Sequence, residues 1–247
     1  MNAIYILWLR ELKRYFRSRA RMVGSLGQPL LFLLALGFGL GPVFKQAGLG
    51  NYFQFLAPGI ISMSILFTAI FAGIQIIWDR QFGFLKVTLA APVSRFNIML
   101  GKTLGGATIA TIQGVIVLLL ACIIGFRPDF TLLPIALVFM MLIAVFFTAL
   151  GIAIASMIED MQGFQLIMNF LVQPLFFLSG ALFPLNNLPK VLGVVIGFDP
   201  LTYGVDGIRG TLIHVSRFGV TTDLAVLAVV TVIILFVGGF LFERIQI

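Results

Sequence analysis

Charge is what this chain has least of. Only 10% of its 247 residues are Asp, Glu, Lys or Arg, where a soluble domain carries about a quarter. Between Phe55 and Trp78, and again between Leu104 and Phe126, there is no charged residue at all. The chain has one cysteine, Cys122, and one histidine, His214. A single Cys excludes an intramolecular disulfide, and a lone Cys with a lone His cannot build a zinc site. HExxH, GxSxG and a carboxylate pair within an apolar run are all missing, so the chain is not expected to be an enzyme. Gly101-Lys102-Thr103 looks like the end of a phosphate-binding loop, but Phe96 stands where that motif needs its first glycine. No cofactor is therefore expected here; ATP and Mg, if the protein uses them, fall to another polypeptide. No expected span is read as holding a buried Asp, Glu, Lys or Arg to carry a proton or an ion, which speaks against a secondary transporter or channel.

What is present is apolar. Hydrophobic residues make up 60% of the chain, and the mean hydropathy is +1.13. Runs that stay apolar for ~20 residues, rather than alternating over ~10, predict membrane-crossing helices and not a barrel. The expected spans are Val23–Phe44, Phe55–Trp78, Thr103–Phe126, Thr131–Ile158, Gly163–Phe183 and Asp223–Phe242. Pro42 is expected to close the first. Residues 23–247 thus read as one six-span domain.

Residues 1–22 read as an amphipathic helix lying on the membrane surface. Ile4, Leu7, Trp8, Leu12, Tyr15 and Phe16 form one face and Arg10, Lys13, Arg14, Arg17 and Arg21 the other. Glu11 falls inside the apolar arc, within reach of Arg14 at i, i+3. Val23–Phe44 is too long for the core of a signal peptide, so a retained anchor is expected. Six of the sixteen basic residues lie between Arg10 and Arg21. They put this end on the cytoplasmic side, and an even number of spans returns the C-terminus there. Glu159-Asp160 is the next cytoplasmic turn. The segment 184–222 is the longest outer stretch. Its apolar patch Val191–Phe198 is too short to cross, and predicts a helix dipping into the outer leaflet.

Between the second and third spans lies a polar island, residues 79–95. It carries Asp79, Arg80, Lys86 and Arg95, and Lys102 follows. Phe82, Leu85 and Leu89 recur at i, i+3, i+7, one face of a helix, and Pro92 ends that stretch. Such a helix across the ends of two spans suits docking of a soluble partner; resting on lipid headgroups explains the same pattern. Gln165, Asn169 and Gln173 recur at i, i+4, i+8 on the fifth span, where polar residues face a path or bond to another helix. Gly101/Gly105 and Gly193/Gly197 are small-residue pairs suited to close helix packing.

Two stretches resemble the ABC-2 type transporter permeases. One is the island, with its Arg-x-Phe-Gly…Leu…Ala-Pro-Val-Ser-Arg pattern. The other is Leu178-Ser-Gly-Ala-Leu-Phe-Pro-Leu-Asn-Asn-Leu-Pro189 followed by Asp199-Pro-Leu-Thr-Tyr-Gly-Val-Asp-Gly-Ile-Arg209. The resemblance implies an all-α integral membrane protein: an interfacial N-terminal helix, six transmembrane helices, and short re-entrant helices between the fifth and sixth. It implies a plasma-membrane exporter subunit that dimerises and is driven by a separate ATP-binding subunit. The cargo would be a drug, a lipid or a lipid-linked glycan or polysaccharide. Of the island, Arg80, Phe82, Gly83 and Leu85 match the family's coupling pattern, and Asp79, Lys86 and Leu89 beside them complete the candidate coupling site. An outer gate falls to Gly180, Pro184, Pro189, Pro200, Tyr203 and Arg209. Gln81 departs from the family, which often has Glu there. A membrane scaffold that recruits a partner without moving cargo is the remaining alternative.

Overall fold

The computed structural model describes residues 3–48, 50–158, 160–185 and 189–245. Among these, all regular structure is helical. Six stretches are long and apolar enough to cross a membrane: Met22–Gln46, Tyr52–Gln81, Arg95–Ile124, Phe130–Met157, Met161–Leu178 and Val220–Glu243. Side chains at several starts fix the helix ends by accepting orphan N–H groups: Asn51 from Phe53, Ser94 from Asn97, Asp160 from Gly163 and Asp199 from Leu201.

The bundle is built around helix α3 (Tyr52–Ile70), which is buried along most of its length. It packs against α2 (Arg19–Gln46), α6 (Arg95–Ile124), α7 (Leu133–Met157) and α11 (Pro200–Ile213). Glycines set how close these helices come. A Cβ on Gly59 would lie 2.0 Å from the Ala181 carbonyl oxygen, and one on Gly73 2.3 Å from that of Gly151. At that second contact the span passes through a 3-10 turn, Phe71–Gly73, before resuming as α4 (Ile74–Gln81). The fifth span is also irregular. Helix α8 (Met161–Ile167) gives way to a π-helical turn, Met168–Val172, and then α9 (Gln173–Leu178). Pro174 has no N–H to return to the preceding turn, which is a local cause for the widened backbone.

Several expectations change. Pro42 does not end α2, which runs on to Gln46. The third span begins eight residues before its expected start, at Arg95, because Ser94 caps it, and so takes in Lys102. Helix α1 (Ala3–Arg17) does not keep its apolar face for lipid. Leu7, Leu12 and Tyr15 are buried, and the helix packs along α6. Gly101 and Gly105 make room for it: a Cβ at either would come within about 3.0 Å of Ile4 or Glu11. Among the described residues, a Cβ on the other pair, Gly193 and Gly197, meets nothing within 4 Å. The segment after the fifth span keeps the expected pair of short helices, and the second of them is longer and more deeply buried than the apolar patch suggests. Helix α10 (Lys190–Gly197) and α11 meet at an 80° bend. Most of α11 is buried, with Gly204, Gly207 and Gly210 turned to Ile143, Phe139 and Val220. The last span is α12 (Val220–Glu243). Glu159 and the motif residues Asn186, Asn187 and Leu188 lie outside the described residues.

Candidate coupling segment and membrane path

The island folds as the end of α4, a turn, and a short helix α5 (Phe84–Leu89). Gly83 adopts φ +75°, a left-handed conformation open to glycine at little cost, and breaks the helix between Phe82 and Leu85. The expected stripe Phe82–Leu85–Leu89 is therefore not one face. Leu85 is fully buried and Leu89 half-buried, whereas Phe82 is 74% exposed. Phe84, Lys86 and Val87 are exposed with it. The outward surface of the island is thus a cluster of apolar side chains around one lysine.

Beneath that surface the polar residues are bound to the protein's own helices. Asp79 is 5% exposed. Its Oδ2 accepts from Lys102 Nζ on α6 and from Arg10 Nη2 on α1 at 3.1 Å, and its Oδ1 accepts from Gln75 Nε2 at 3.0 Å. Lys102 is buried as well. The reading that no span holds a buried charge is thus corrected: an ion pair sits where the second and third spans meet the island. Desolvating both charges is costly, and only close pairing with added hydrogen bonds sustains it. Arg80 Nη1 donates to the Ile158 carbonyl at the end of α7. Arg95 Nη1 donates to the carbonyl of Glu243, the last residue of α12, and to that of Ile245 just beyond it. The island is consequently fastened to α1, α6, α7 and the end of α12.

Helix α1 extends the network inward. Trp8 Nε1 donates to Thr108 Oγ1 at 3.1 Å, and Tyr15 OH donates to Gln113 Oε1 at 2.7 Å. Glu11 pairs with Arg10 at 3.3 Å and with Arg14, as its spacing predicts, at 3.8 Å.

At the far end, Arg209 is buried between α3 and the turn after α9. Its Nη2 donates to the Gly180 carbonyl at 3.0 Å and the Phe55 carbonyl at 3.3 Å, and the guanidinium lies 3.9 Å from the Phe55 ring centroid. Gly180 has φ +75°, and Tyr52 OH reaches the next strand of chain through the Leu182 carbonyl. Pro200 begins α11, and Tyr203 OH donates to the Gly197 carbonyl across the bend. Pro184 is half-buried and Pro189 exposed. Asp129, in the turn before α7, accepts from Thr131 and His214. Those hydrogen bonds, Thr131's first, hold its carboxyl well below the usual range. Gln165, Asn169 and Gln173 do not face the interior of the bundle. All three are exposed on one side of α8–α9, among the exposed Leu166, Phe170 and Phe177.

Known proteins with the same pattern exist. The profile of the family described as ABC-2 type transporter matches residues 2–213. Nodulation protein J of Rhizobium leguminosarum bv. trifolii is 28% identical over 97% of this chain and 90% of its own. "Putative transport permease ycf38" of Pyropia yezoensis is 31% identical over 85% of this chain and 73% of its own. The protein of that name from Cyanophora paradoxa is 29% identical over 87% and 76%.

Proposed function

Because the chain belongs to the ABC-2 type transporter family, we propose that it is the membrane-spanning permease of an ATP-driven exporter in the cell membrane, with both termini in the cytosol. ATP and Mg are held by a separate ATP-binding subunit. The observation that carries this reading is the island: an exposed Phe82–Phe84–Lys86–Val87 surface on a base whose charges are already bonded inside the chain. Exposed apolar clusters beside polar residues mark protein contacts. Force applied to α5 passes through Asp79 to α1 and α6 and through Arg80 to α7. Movement of the spans then follows from a push on one short helix.

The exposed face of α8–α9 supports a second copy of the permease. Two such faces brought together would enclose Gln165, Asn169 and Gln173 in a shared path for a hydrophobic or amphipathic cargo. In the same reading, the bent α10–α11 pair and the Arg209 cluster close its outer end.

The test separates docking from folding. Phe82→Ala with Phe84→Ala removes exposed area only, so the permease stays folded but no longer co-purifies with its ATP-binding subunit. Leu85→Ala instead destabilises the permease, because its side chain fills the core. Undiminished co-purification of the Phe82/Phe84 variant would sink the docking role.

A further inference from the structure

Two carboxyl groups meet where α11 gives way to α12. Asp206 is 7% exposed and Asp223 fully buried. The turn between the helices folds over Asp206. Its Oδ2 accepts from Ser216 Oγ at 3.1 Å, from the Arg217 N–H at 2.7 Å and from the Phe218 N–H at 2.9 Å. Asp223 has no such support: neither of its oxygens has a hydrogen-bond donor among the described residues. Yet its carboxyl lies within hydrogen-bond reach of that of Asp206. The helices are close here, since a Cβ on Gly210 would come 2.9 Å from Val220 and 3.1 Å from Ser216.

The neighbouring charges are engaged elsewhere. Arg209, one turn beyond Asp206, is near enough to feel its charge, but its Nη2 donates to the Gly180 and Phe55 carbonyls. Arg217 sends its side chain to the Leu185 carbonyl, and His214 faces Asp129. Asp199, at the head of α11, accepts from Leu201 and Thr202, and burial pushes it up to about 7. Tyr52 and Tyr203 donate to backbone carbonyls. Lys190 stands at the start of α10, the end away from α11. Helices α3 and α7, packed on α11, contain no Asp, Glu, Lys or Arg. Those of α6 and the rest of α12 (Arg95, Lys102 and Glu243) are at the island end.

Two carboxylates in contact and out of water cannot both be ionised. A proton or a cation has to hold them together. Calcium and magnesium take about six or more oxygen ligands. No group of three metal-ligating side chains stands among the described residues, and Asp206 Oδ2 is already ringed by donors. A proton needs only two oxygens. We propose that Asp206 and Asp223 share one proton, and that it latches α12 to α11 at the end of the bundle that carries the Arg209 cluster. Asp206, with three donors on one oxygen, takes the charge; Asp223, with none, is the neutral acid that donates. Removing the proton sets two negative charges against each other and loosens this corner. In the unfolded chain both groups ionise near pH ~4. The latch therefore contributes fully below that pH and fades as pH rises past the point where the shared proton leaves. It is a property of this chain alone and stands or falls independently of the export reading.

The test is melting of the full chain in detergent, parent against Asp223→Asn, whose amide can donate the same hydrogen bond and cannot ionise. The variant should melt within about 2 °C of the parent at about pH 5 and about 5 °C above it at about pH 9. Asp199 is present in both chains and drops out of the difference. Should Asp223→Asn not fold, infrared spectra of the Asp199→Asn chain with isotope-labelled aspartate take its place. They should show the C=O stretch of a neutral carboxylic acid at about pH 6, where ordinary carboxyls are ionised, and its loss by about pH 9. A melting difference that does not change with pH, or no neutral-acid band, would overturn the proposal. So would stabilisation of the parent by sodium or calcium at fixed pH that Asp223→Asn abolishes, because a cation would then stand in the proton's place.

Discussion

Replacing Asp79 with Leu leaves Lys102 buried with no counter-charge. Asp79 and Lys102 are 5% and 4% exposed, so neither can return to water without opening the junction of α4 and α6. Breaking such a pair costs ~3–5 kcal/mol, whereas replacing both members with apolar residues of similar volume is near neutral. Arg10, the third member, has a 38% exposed side chain and rehydrates at small cost. The single variant should therefore melt about 10 °C below the parent, measured as the fraction retained on size exclusion after heating in detergent. Asp79→Leu with Lys102→Met should recover most of that loss. The double variant still lacks the tie from α1 to α4, so under the proposed function ATP-driven export should stay low although the fold is restored. A single variant that melts within a degree or two of the parent, or a double variant no better than the single, would refute the assignment of this pair as the anchor of the island.

Other outcomes follow from the same geometry. Gly59→Ala forces a Cβ to 2.0 Å from a backbone oxygen and should abolish folded material, while Gly24→Ala, with nothing within 4 Å, should melt like the parent. Arg209→Met gives up charge-assisted hydrogen bonds and the Phe55 ring contact. It should lose ~2–3 kcal/mol and raise the reactivity of a cysteine placed at Leu182. Asp129→Asn tests the outer turn by pH. A carboxyl whose pKa is depressed on folding stabilises the fold above its unfolded pKa of ~4 and stops doing so as pH falls through the folded value. The melting difference between parent and variant should hold from neutral pH to about pH 4 and shrink only below it; a difference that disappears between pH 7 and 5 would contradict this.

The spans were legible because lipid demands continuous apolar helices, and the apolar runs announce them whatever their packing. Their ends were less so. Pro42 looked like a stop, yet a proline removes one ladder bond, and α2 continues past it. The Asp79–Lys102 pair was missed because its members are 23 residues apart and each looked like loop charge; an acid ending one span and a base opening the next is the signal that could have found it. The stripe Phe82–Leu85–Leu89 had the right spacing, but spacing assumes an unbroken helix, and Gly83 breaks it. The buried α11 carries its signal in Gly204, Gly207 and Gly210, spaced by three, a weaker mark than the continuous apolar patch Val191–Phe198 before it. The spacing of Gln165, Asn169 and Gln173 puts them on one side of the fifth span, but spacing does not say whether that side is inward, and all three are exposed.

Cysteine labelling at Val87 bears most directly on the island as a cytoplasmic docking platform. Val87 is 73% exposed, and Cys122 is the sole native cysteine, so Val87→Cys in a Cys122→Ala background gives one reactive site. An impermeant maleimide should label it in inverted membrane vesicles and not in intact cells, and binding of the ATPase subunit should protect it. Labelling from outside intact cells, or labelling in inverted vesicles that the ATPase leaves unchanged, would contradict the account.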